Sequence, residues 1–288
     1  MAGARGMQSV MIPGTALISS RLGFGTASLH HVSTSTRQMR LLASAAESGL
    51  THFDTAPMYG EGLAERALGR FLRGRKRELV TLATKVGFPS RGLAEMFPAW
   101  MYFEKATKAI SKKAGLLRGE QRPRSLLEQD VEASFSKSLR RLQTDFVDIL
   151  LIHEPSPAEI PEIARLADWL RRQKESGRAR YIGLAGNAAA CVAIHGHIPG
   201  LFDILQVEDS IDACEADAVS AAGLPLQLTY GYLRASSQGG AGSLPSPTGP
   251  AVLTAALARN PRGVVLVSTR KLARIAEFSQ CVSQWVAP

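Results

Sequence analysis

The sequence is poor in cysteine and lacks any segment suited to crossing a membrane. Its three cysteines, Cys191, Cys214 and Cys281, are widely spaced and match neither a metal site nor a disulfide framework. No run of roughly 18 uncharged apolar residues occurs, and the N-terminus lacks the continuous apolar stretch of a signal peptide. These absences predict free thiols, no bound metal, no membrane partner and a cytoplasmic location.

The phosphate-binding loop of an open doubly wound sheet is also missing. In that fold a G-x-G-x-x-G motif connects the first strand to the first helix. The nearest stretch here is GFGTAS at residues 23–28, which has no third glycine. The open sheet remains an alternative fold, but the sequence disfavours it.

The charge of the chain is positive without a concentrated basic patch. Lys and Arg outnumber Asp and Glu by 34 to 25, for a net charge of +9. The basic residues are spread along the chain, and the short clusters have the character of solvent-facing helix ends. No nucleic-acid partner is therefore expected. A small anionic partner, such as a phosphate-bearing cofactor, accounts for part of the excess.

What the sequence does contain is a regular alternation of apolar runs and amphipathic stretches. The runs are rich in Val, Ile and Leu and nearly continuous, as is typical of parallel strands covered on both faces. They occupy residues 21–28, 50–56, 78–87, 145–154, 179–186, 202–208, 224–230 and 263–269. Helical periodicity marks residues 36–48, 61–72, 125–142, 160–173 and 272–282.

This alternation predicts a (β/α)8 TIM barrel. The whole chain, residues 1–288, is interpreted as one domain, and residues 10–20 are expected to form a short hairpin that closes the barrel floor. Two long loops, residues 88–121 and 234–250, would lie on the face that carries the C-terminal strand ends. They are either lids over a site there or linkers without a function.

Four titratable side chains stand where consecutive predicted strands end. Asp54 ends the second strand and Tyr59 follows it, while Lys85 ends the third strand and His153 the fourth. Neighbouring parallel strands lie about 4.8 Å apart, so these groups should meet at one rim. Each has a structural explanation on its own, such as a helix N-cap for Asp54 or a solvent-reaching stem for Lys85. Together, on successive strands, they predict a functional site.

These residue types suit general acid catalysis by a phenol. A free tyrosine has a pKa of about 10, and a neighbouring ammonium favours the phenolate and so lowers that pKa. Asp54 would hold Lys85 in place, and His153 would hydrogen-bond a carbonyl oxygen or relay the proton. Such a site protonates a carbonyl oxygen while a hydride reaches the carbon. No side chain supplies a hydride, so a cofactor is required.

The same segments resemble the aldo-keto reductase family. Residues 49–72, GLTHFDTAPMYGEGLAERALGRFL, are similar to its aspartate and tyrosine-glycine signature. LATKVG at residues 82–87 resembles its lysine strand, and DFVDILLIHEP at residues 145–155 its histidine strand. The resemblance implies a (β/α)8 barrel, Tyr59 as the acid, no metal, and an extended nicotinamide cofactor bound without a Rossmann fold.

The resemblance also implies cofactor contacts. On the nicotinamide side they fall on Gly25, Thr26, Asp54, Asn187, Gln206 and Tyr230. The stretch YIGLAGN departs from the family here, because Ala185-Gly186 replaces serine-asparagine and Asn187 is left as the substitute. On the adenine side, VSTRKLARIAEF supplies Ser268, Thr269, Arg270 and Arg274 at the start of a helix. A cationic set there suits a 2′-phosphate and favours NADPH over NADH, although a solvated basic face has the same composition.

The resulting functional prediction is an NADPH-dependent reductase of aldehydes or ketones. Phe24, Met58 and Trp100 are candidates for an apolar substrate pocket, or else pack loops onto the barrel. Two other functions stay open. One is a sugar dehydrogenase that works oxidatively with NAD(P), and the other is a slow cofactor-sensing subunit like the β subunits of potassium channels. The sequence gives no signal for the substrate or the oligomeric state.

Overall fold

A closed barrel of eight parallel strands forms the centre of the molecule, as the sequence predicts. The computed structural model describes residues 6–90, 124–235 and 249–286. The barrel strands are β3 (Leu22–Gly25), β4 (His52–Asp54), β5 (Thr81–Val86), β6 (Val147–His153), β7 (Ala179–Gly186), β8 (Ile204–Glu208), β9 (Leu228–Tyr230) and β10 (Val264–Val267). They pair in chain order, and β10 closes the ring on β3. Each strand falls within one of the eight predicted runs.

Helices surround the barrel. In the described part of the chain they are α1 (Ser35–Glu47), α2 (Leu63–Leu72), α3 (Glu128–Leu142), α4 (Ile160–Arg165), α5 (Ala167–Glu175), α6 (Ala188–His197), α7 (Asp217–Ala221), α8 (Tyr232–Ala235), α9 (Gly249–Arg259) and α10 (Leu272–Gln284). The five predicted helical stretches are present, one of them divided into α4 and α5. Across the described ranges, no helix combines the length and the apolar character needed to cross a membrane.

The predicted hairpin closes the barrel floor. β1 (Ser9–Met11) and β2 (Ile18–Ser20) pair in antiparallel fashion. Ile12 and Leu17, in the turn between them, are buried in one apolar cluster with barrel-lining residues such as Leu151 and Leu266. The hairpin therefore fills the lower end of the barrel and leaves the C-terminal strand ends as the open face.

Arg21 connects the floor to the last quarter of the chain. Its side chain is 1% exposed, and it donates to the carbonyl oxygens of Leu257 at 3.0 Å, Asn260 and Gly263. These carbonyls lie at the end of α9 and in the turn after it, where the helix dipole is negative. Burial lowers the pKa of Arg21 to about 10, which keeps the guanidinium charged at neutral pH.

His52 is buried in the barrel below the strand ends. The side chain is inaccessible to solvent, and its Nδ1 lies 3.3 Å from Ser19 Oγ. Burial, and secondarily the charge of Lys85, lowers the pKa of His52 to about 3. The imidazole is therefore neutral in the folded protein throughout the physiological range.

This histidine should make stability fall on mild acidification. The unfolded chain takes up the proton near pH 6.5 while the folded chain does not, so the contribution of His52 is complete above pH 6.5 and is lost as the pH falls towards about 3. The slope approaches about 1.4 kcal/mol per pH unit. Urea unfolding at pH 7, 6 and 5 measures it. His52→Gln should show a shallower slope, and parallel slopes would refute the assignment.

Most of the two predicted long loops falls outside the described residues. This applies to residues 91–121 of the first loop and residues 236–248 of the second. Their interpretation as lids or linkers stays a prediction.

Candidate active site

Three buried polar side chains meet at the upper end of neighbouring barrel strands. Asp54 ends β4, Lys85 lies in β5 and His153 ends β6, with 4%, 1% and 6% of their surface exposed. Strands β4, β5 and β6 are adjacent and parallel. Because side chains alternate between the two faces of a strand, Lys85 shares the inner face with the barrel-lining Ala83.

Lys85 and Asp54 form a close ion pair. Lys85 Nζ donates to Asp54 Oδ1 at 2.6 Å and to the Thr55 carbonyl oxygen at 2.9 Å. Burial lowers the pKa of the Lys85 ammonium below its usual value, while Asp54 opposes this shift. The carboxylate thus fixes the ammonium in position and offsets part of the cost of burying its charge.

Tyr59 lies over this pair in the loop that follows β4. Its ring meets the His153 ring edge to face, with centroids 5.9 Å apart, and Lys85 Nζ is 5.2 Å from the Tyr59 centroid. The loop needs glycine at position 60, because its φ is +61° and a Cβ there would lie 2.3 Å from His30 Cβ. Gly60, the residue after Tyr59, thus allows this loop to pack against the segment that follows β3.

Two residues outside the predicted set support His153. The Phe88 ring packs edge to face against the His153 ring at 5.8 Å. Arg124 lies over Phe88 at 4.7 Å and donates to the His153 carbonyl oxygen at 2.6 Å. Phe88 follows β5 directly, which was the available signal. Nothing in the sequence around Arg124 indicated this contact.

A cavity of about 280 Å³ opens at these groups. Ten of the predicted site residues line it: Gly25, Asp54, Met58, Tyr59, Lys85, His153, Gln206, Tyr230, Ser268 and Arg274. Residues that the sequence did not indicate as site residues complete the wall: Ala27, Glu154, Ala185, Gly231, Leu233, Leu266 and Val267.

Three predicted contacts lie elsewhere. Phe24 packs on Phe53 with centroids 6.3 Å apart, in the layer between barrel and helices. Its neighbour Gly25 faces the cavity, so strand alternation places Phe24 on the opposite face. Thr26 is fully buried and donates to the Asp54 carbonyl oxygen at 3.0 Å. The Asn187 side chain caps α6 by accepting from Ala190 N at 3.1 Å.

Trp100, the remaining predicted pocket residue, falls outside the described residues. Among the residues that the structure does describe, no group of three or more His, Cys, Asp or Glu side chains is arranged to hold a metal ion.

A wide basic groove of about 970 Å³ continues from the cavity. Cavity and groove share Ala27, Ser268 and Arg274. Thr269 and Arg270 line it as predicted binding residues, and Lys271, Arg37 and Arg40 line it as well. The two arginines are three positions apart on α1, a spacing that puts them on one helix face. That spacing could have identified them, but only once α1 was known to face α10.

The groove and cavity fit a dinucleotide that carries phosphates. The groove has five cationic side chains in its wall and no acidic one. None of the five makes an ion pair with another described residue. At the cavity end, Gln206 Oε1 is buried without a hydrogen-bond partner among the described residues. An unsatisfied buried acceptor suits the N–H donors of a carboxamide.

Comparison with known proteins agrees with this architecture. The model of the Aldo/keto reductase family matches residues 21–208. Among solved structures, an aldo-keto reductase from Bacillus halodurans in its holo form superposes with a TM-score of 0.71 at 20% identity, covering 98% of this chain and 92% of that one. An aldo-keto reductase from Klebsiella pneumoniae in complex with NADPH gives 0.67 at 17% identity, covering 98% and 91%. At these identities the superpositions establish the fold.

Curated relatives match a shorter part of the chain. The D-threo-aldose 1-dehydrogenase of a Pseudomonas species is 29% identical over 167 residues, 57% of this chain and 49% of that protein. The NADP(+) aldo-keto reductase yakc of Schizosaccharomyces pombe is 31% identical over 169 residues, 57% of this chain and 42% of the relative. The matches thus span about half the length of these relatives or less.

Proposed function

The chain belongs to the aldo/keto reductase family, and from this membership we propose that it reduces an aldehyde or ketone to an alcohol with NADPH. The observation that carries the proposal is the meeting of Tyr59, His153 and the Lys85–Asp54 ion pair at one cavity. A phenol, an imidazole and a buried ammonium at one point are hard to explain by packing.

Each side chain has a defined task in this reaction. NADPH, when bound, supplies the hydride. Tyr59 donates its phenolic proton to the carbonyl oxygen as that oxygen gains negative charge, and the Lys85 ammonium beside the ring stabilises the phenolate left behind. His153 hydrogen-bonds the carbonyl oxygen and orients it towards Tyr59. Asp54 holds the ammonium in place through the 2.6 Å contact.

The groove and the cavity wall divide the binding of the cofactor between them. Gln206, with its unsatisfied Oε1, would bind the carboxamide, and Tyr230 lines the same cavity as a stacking surface for the ring. Asn187 stays a candidate for the same contact, since only its Oδ1 is engaged in capping α6. At the other end, Ser268, Arg270 and Arg274 would bind the 2′-phosphate.

Purified protein with NADPH and a panel of aldehydes tests the proposal. We expect the NADPH absorbance to fall with saturable kinetics and one alcohol to form per NADPH consumed. Tight binding of NADPH without turnover of any aldehyde or ketone would refute the reductase and favour the sensing subunit.

A sugar dehydrogenase is the second candidate. It is supported by the similarity to the D-threo-aldose 1-dehydrogenase, which acts on an aldose by its name. The same preparation is assayed with aldoses and NAD+ or NADP+. Oxidation of an aldose faster than reduction of any carbonyl compound would favour this function over the first.

Arg274→Ala should discriminate between the two cofactors. Arg274 lines both the cavity and the groove and is exposed. Loss of a charge-assisted contact to phosphate costs about 1.5–3 kcal/mol, which corresponds to roughly a 10- to 150-fold weaker binding of NADPH. NADH lacks the 2′-phosphate and should bind within about threefold of its original affinity. Fluorescence titration with both cofactors measures the ratio.

Arg262 supplies a charge-matched control at the other end of the barrel, where the strands begin. Arg262 is exposed just before β10, and Arg262→Ala removes the same charge far from the groove. It should leave both affinities unchanged. Equal weakening of NADPH and NADH by Arg274→Ala would mean that Arg274 does not bind the 2′-phosphate.

A further inference from the structure

An acidic residue, Glu154, follows His153 at the cavity. The residue is exposed and lines the cavity. Its carboxylate has neither a hydrogen bond nor an ion pair with any described residue. The other carboxylate in that wall, Asp54, is neutralised by Lys85 at 2.6 Å. Glu154 therefore contributes a negative charge that no described side chain pairs directly, although this charge also acts at longer range on Lys85.

The backbone at this position is held in an uncommon conformation. Glu154 has a φ of +46°, in the left-handed region that glycine adopts at little cost. It is one of four described non-glycine residues with a positive φ, and among those four it alone lines the cavity. A strained residue at a site points to a use for its side chain, since glycine would relieve the strain.

Gly186 makes room for this turn. A Cβ at position 186 would lie 3.1 Å from Glu154 Cα and 3.4 Å from Pro155 Cδ. Glu154 N also donates to the Ala185 carbonyl oxygen at 2.5 Å. The Ala185-Gly186 pair, which departs from the family's serine-asparagine, thus permits the backbone to pass close to β7. The small residues at positions 185 and 186 and the position of Glu154 are therefore structurally linked.

The charges around the cavity are unevenly distributed. The described cations in its wall are Lys85, which is paired with Asp54, and Arg274, which opens onto the groove assigned to the cofactor. A substrate group next to the reacting carbonyl therefore meets Glu154 as the carboxylate of the cavity wall that lacks a direct ion-pair partner among the described residues. At about 7 Å and an effective dielectric constant of about 40, two unit charges interact enough to change a rate roughly five- to tenfold.

We propose that Glu154 selects substrates by charge, so that the enzyme favours carbonyl compounds carrying a cationic group near the carbonyl and discriminates against those carrying a carboxylate. The proposal rests on the proposed reductase function and identifies the substrate class of the same site. Glu154 is a specificity residue in this view and takes no part in the proton transfer.

Three para-substituted benzaldehydes of similar shape test the charge selection. They are 4-formylbenzoate, which is anionic, 4-(trimethylammonio)benzaldehyde, which is cationic, and 4-tert-butylbenzaldehyde, the neutral isostere of the cation. Values of kcat/KM with NADPH are compared between the wild type and Glu154→Gln for each aldehyde. Intrinsic reactivity cancels in that comparison because each aldehyde is its own reference.

Glu154→Gln should raise kcat/KM for the anion and lower it for the cation, each by roughly five- to tenfold. The neutral aldehyde should change less than twofold. The differences should shrink as salt increases from 0.02 to 0.5 M, since ions screen an exposed charge. Glu175→Gln is the control. It removes an equal charge from the exposed end of α5, near the barrel floor, and should alter none of the three values.

The outcomes separate this inference from the proposed function. If the neutral aldehyde is reduced but Glu154→Gln affects all three alike, charge selection is overturned and the reductase stands. If no aldehyde is reduced, the reductase proposal fails. Charge selection is then tested separately, through calorimetric dissociation constants of the three matching benzyl alcohols. Tighter binding of the cationic alcohol, lost in Glu154→Gln, supports the inference. Equal binding of all three overturns it.

Discussion

Replacement of Tyr59 by phenylalanine is expected to lower kcat for aldehyde reduction by roughly 10²- to 10⁴-fold, the usual contribution of a positioned general acid. Phenylalanine keeps the edge-to-face contact with His153 and the ring beside Lys85. Only the proton donor is removed, so the dissociation constant of NADPH should stay within about twofold. Stopped-flow reduction and fluorescence titration measure the two quantities.

A second tyrosine supplies the control for this variant. Tyr181 lies at the barrel floor, where its hydroxyl oxygen accepts from Ala16 N at 2.9 Å. Tyr181→Phe removes an equal hydroxyl far from the cavity and should leave kcat unchanged. Normal turnover in Tyr59→Phe would exclude the phenol as the acid, and His153 would become the candidate donor.

Replacement of Arg141 by methionine should cost about 3–5 kcal/mol of stability, the range found when one partner of a buried ion pair is removed. Arg141 Nη1 lies 3.0 Å from Glu65 Oε2, and the two side chains are 3% and 0% exposed between α2 and α3. Thr84 Oγ1 donates to the other Glu65 oxygen at 2.9 Å. Without Arg141, the carboxylate keeps this neutral donor but loses its counter-charge.

The deficit should depend on pH in a defined direction. Burial raises the pKa of Glu65, and Arg141 opposes that shift. In the variant the opposition is gone, so the folded state binds a proton at a higher pH than the unfolded chain does. The free energy of unfolding of the variant, relative to wild type, should therefore increase as the pH falls. Urea unfolding at pH 8 and pH 5 measures this change.

Two further variants test whether the loss of stability comes from the buried ion pair. Arg140→Met changes the exposed neighbour of Arg141 on α3 and should cost less than about 0.5 kcal/mol. Glu65→Gln combined with Arg141→Met removes both charges and should recover part of the loss. A single Arg141→Met variant as stable as wild type would mean that the pair contributes nothing to the fold.

The barrel could be predicted because its strands are covered on both faces. Continuous apolar runs such as those around β6 and β7 leave little ambiguity between strand and surface helix. Helix α6 was missed because the first seven residues of AAACVAIHGH are all apolar or small and its two histidines come only in the last turn, so no polar face is marked. The break between α4 and α5 at Leu166 has no glycine or proline to mark it.

The proposed catalytic residues were predictable for a different reason than the rest of the site. Lys85 and Asp54 are charged residues inside apolar strands, and such residues are conspicuous in a sequence. Glu154 and Arg40 are not, since they are ordinary exposed residues until the fold brings them to a cavity or a groove. Phe24 was predicted either to line the pocket or to pack onto the barrel, and it packs on Phe53, on the strand face opposite Gly25.

Arg21 and β3 can complete their contacts only after a distant segment of the chain has been synthesised. The guanidinium of Arg21 donates to carbonyl oxygens of Leu257, Asn260 and Gly263, up to 242 positions further along the chain, and the strand that follows Arg21, β3, pairs with β10. Until this segment is available, β3 has no partner on the side that β10 occupies in the closed barrel, and the Arg21 guanidinium lacks these acceptors. Such long-range closure slows folding and leaves aggregation-prone edges exposed meanwhile. A nascent chain that ends before β10 should therefore be prone to aggregation.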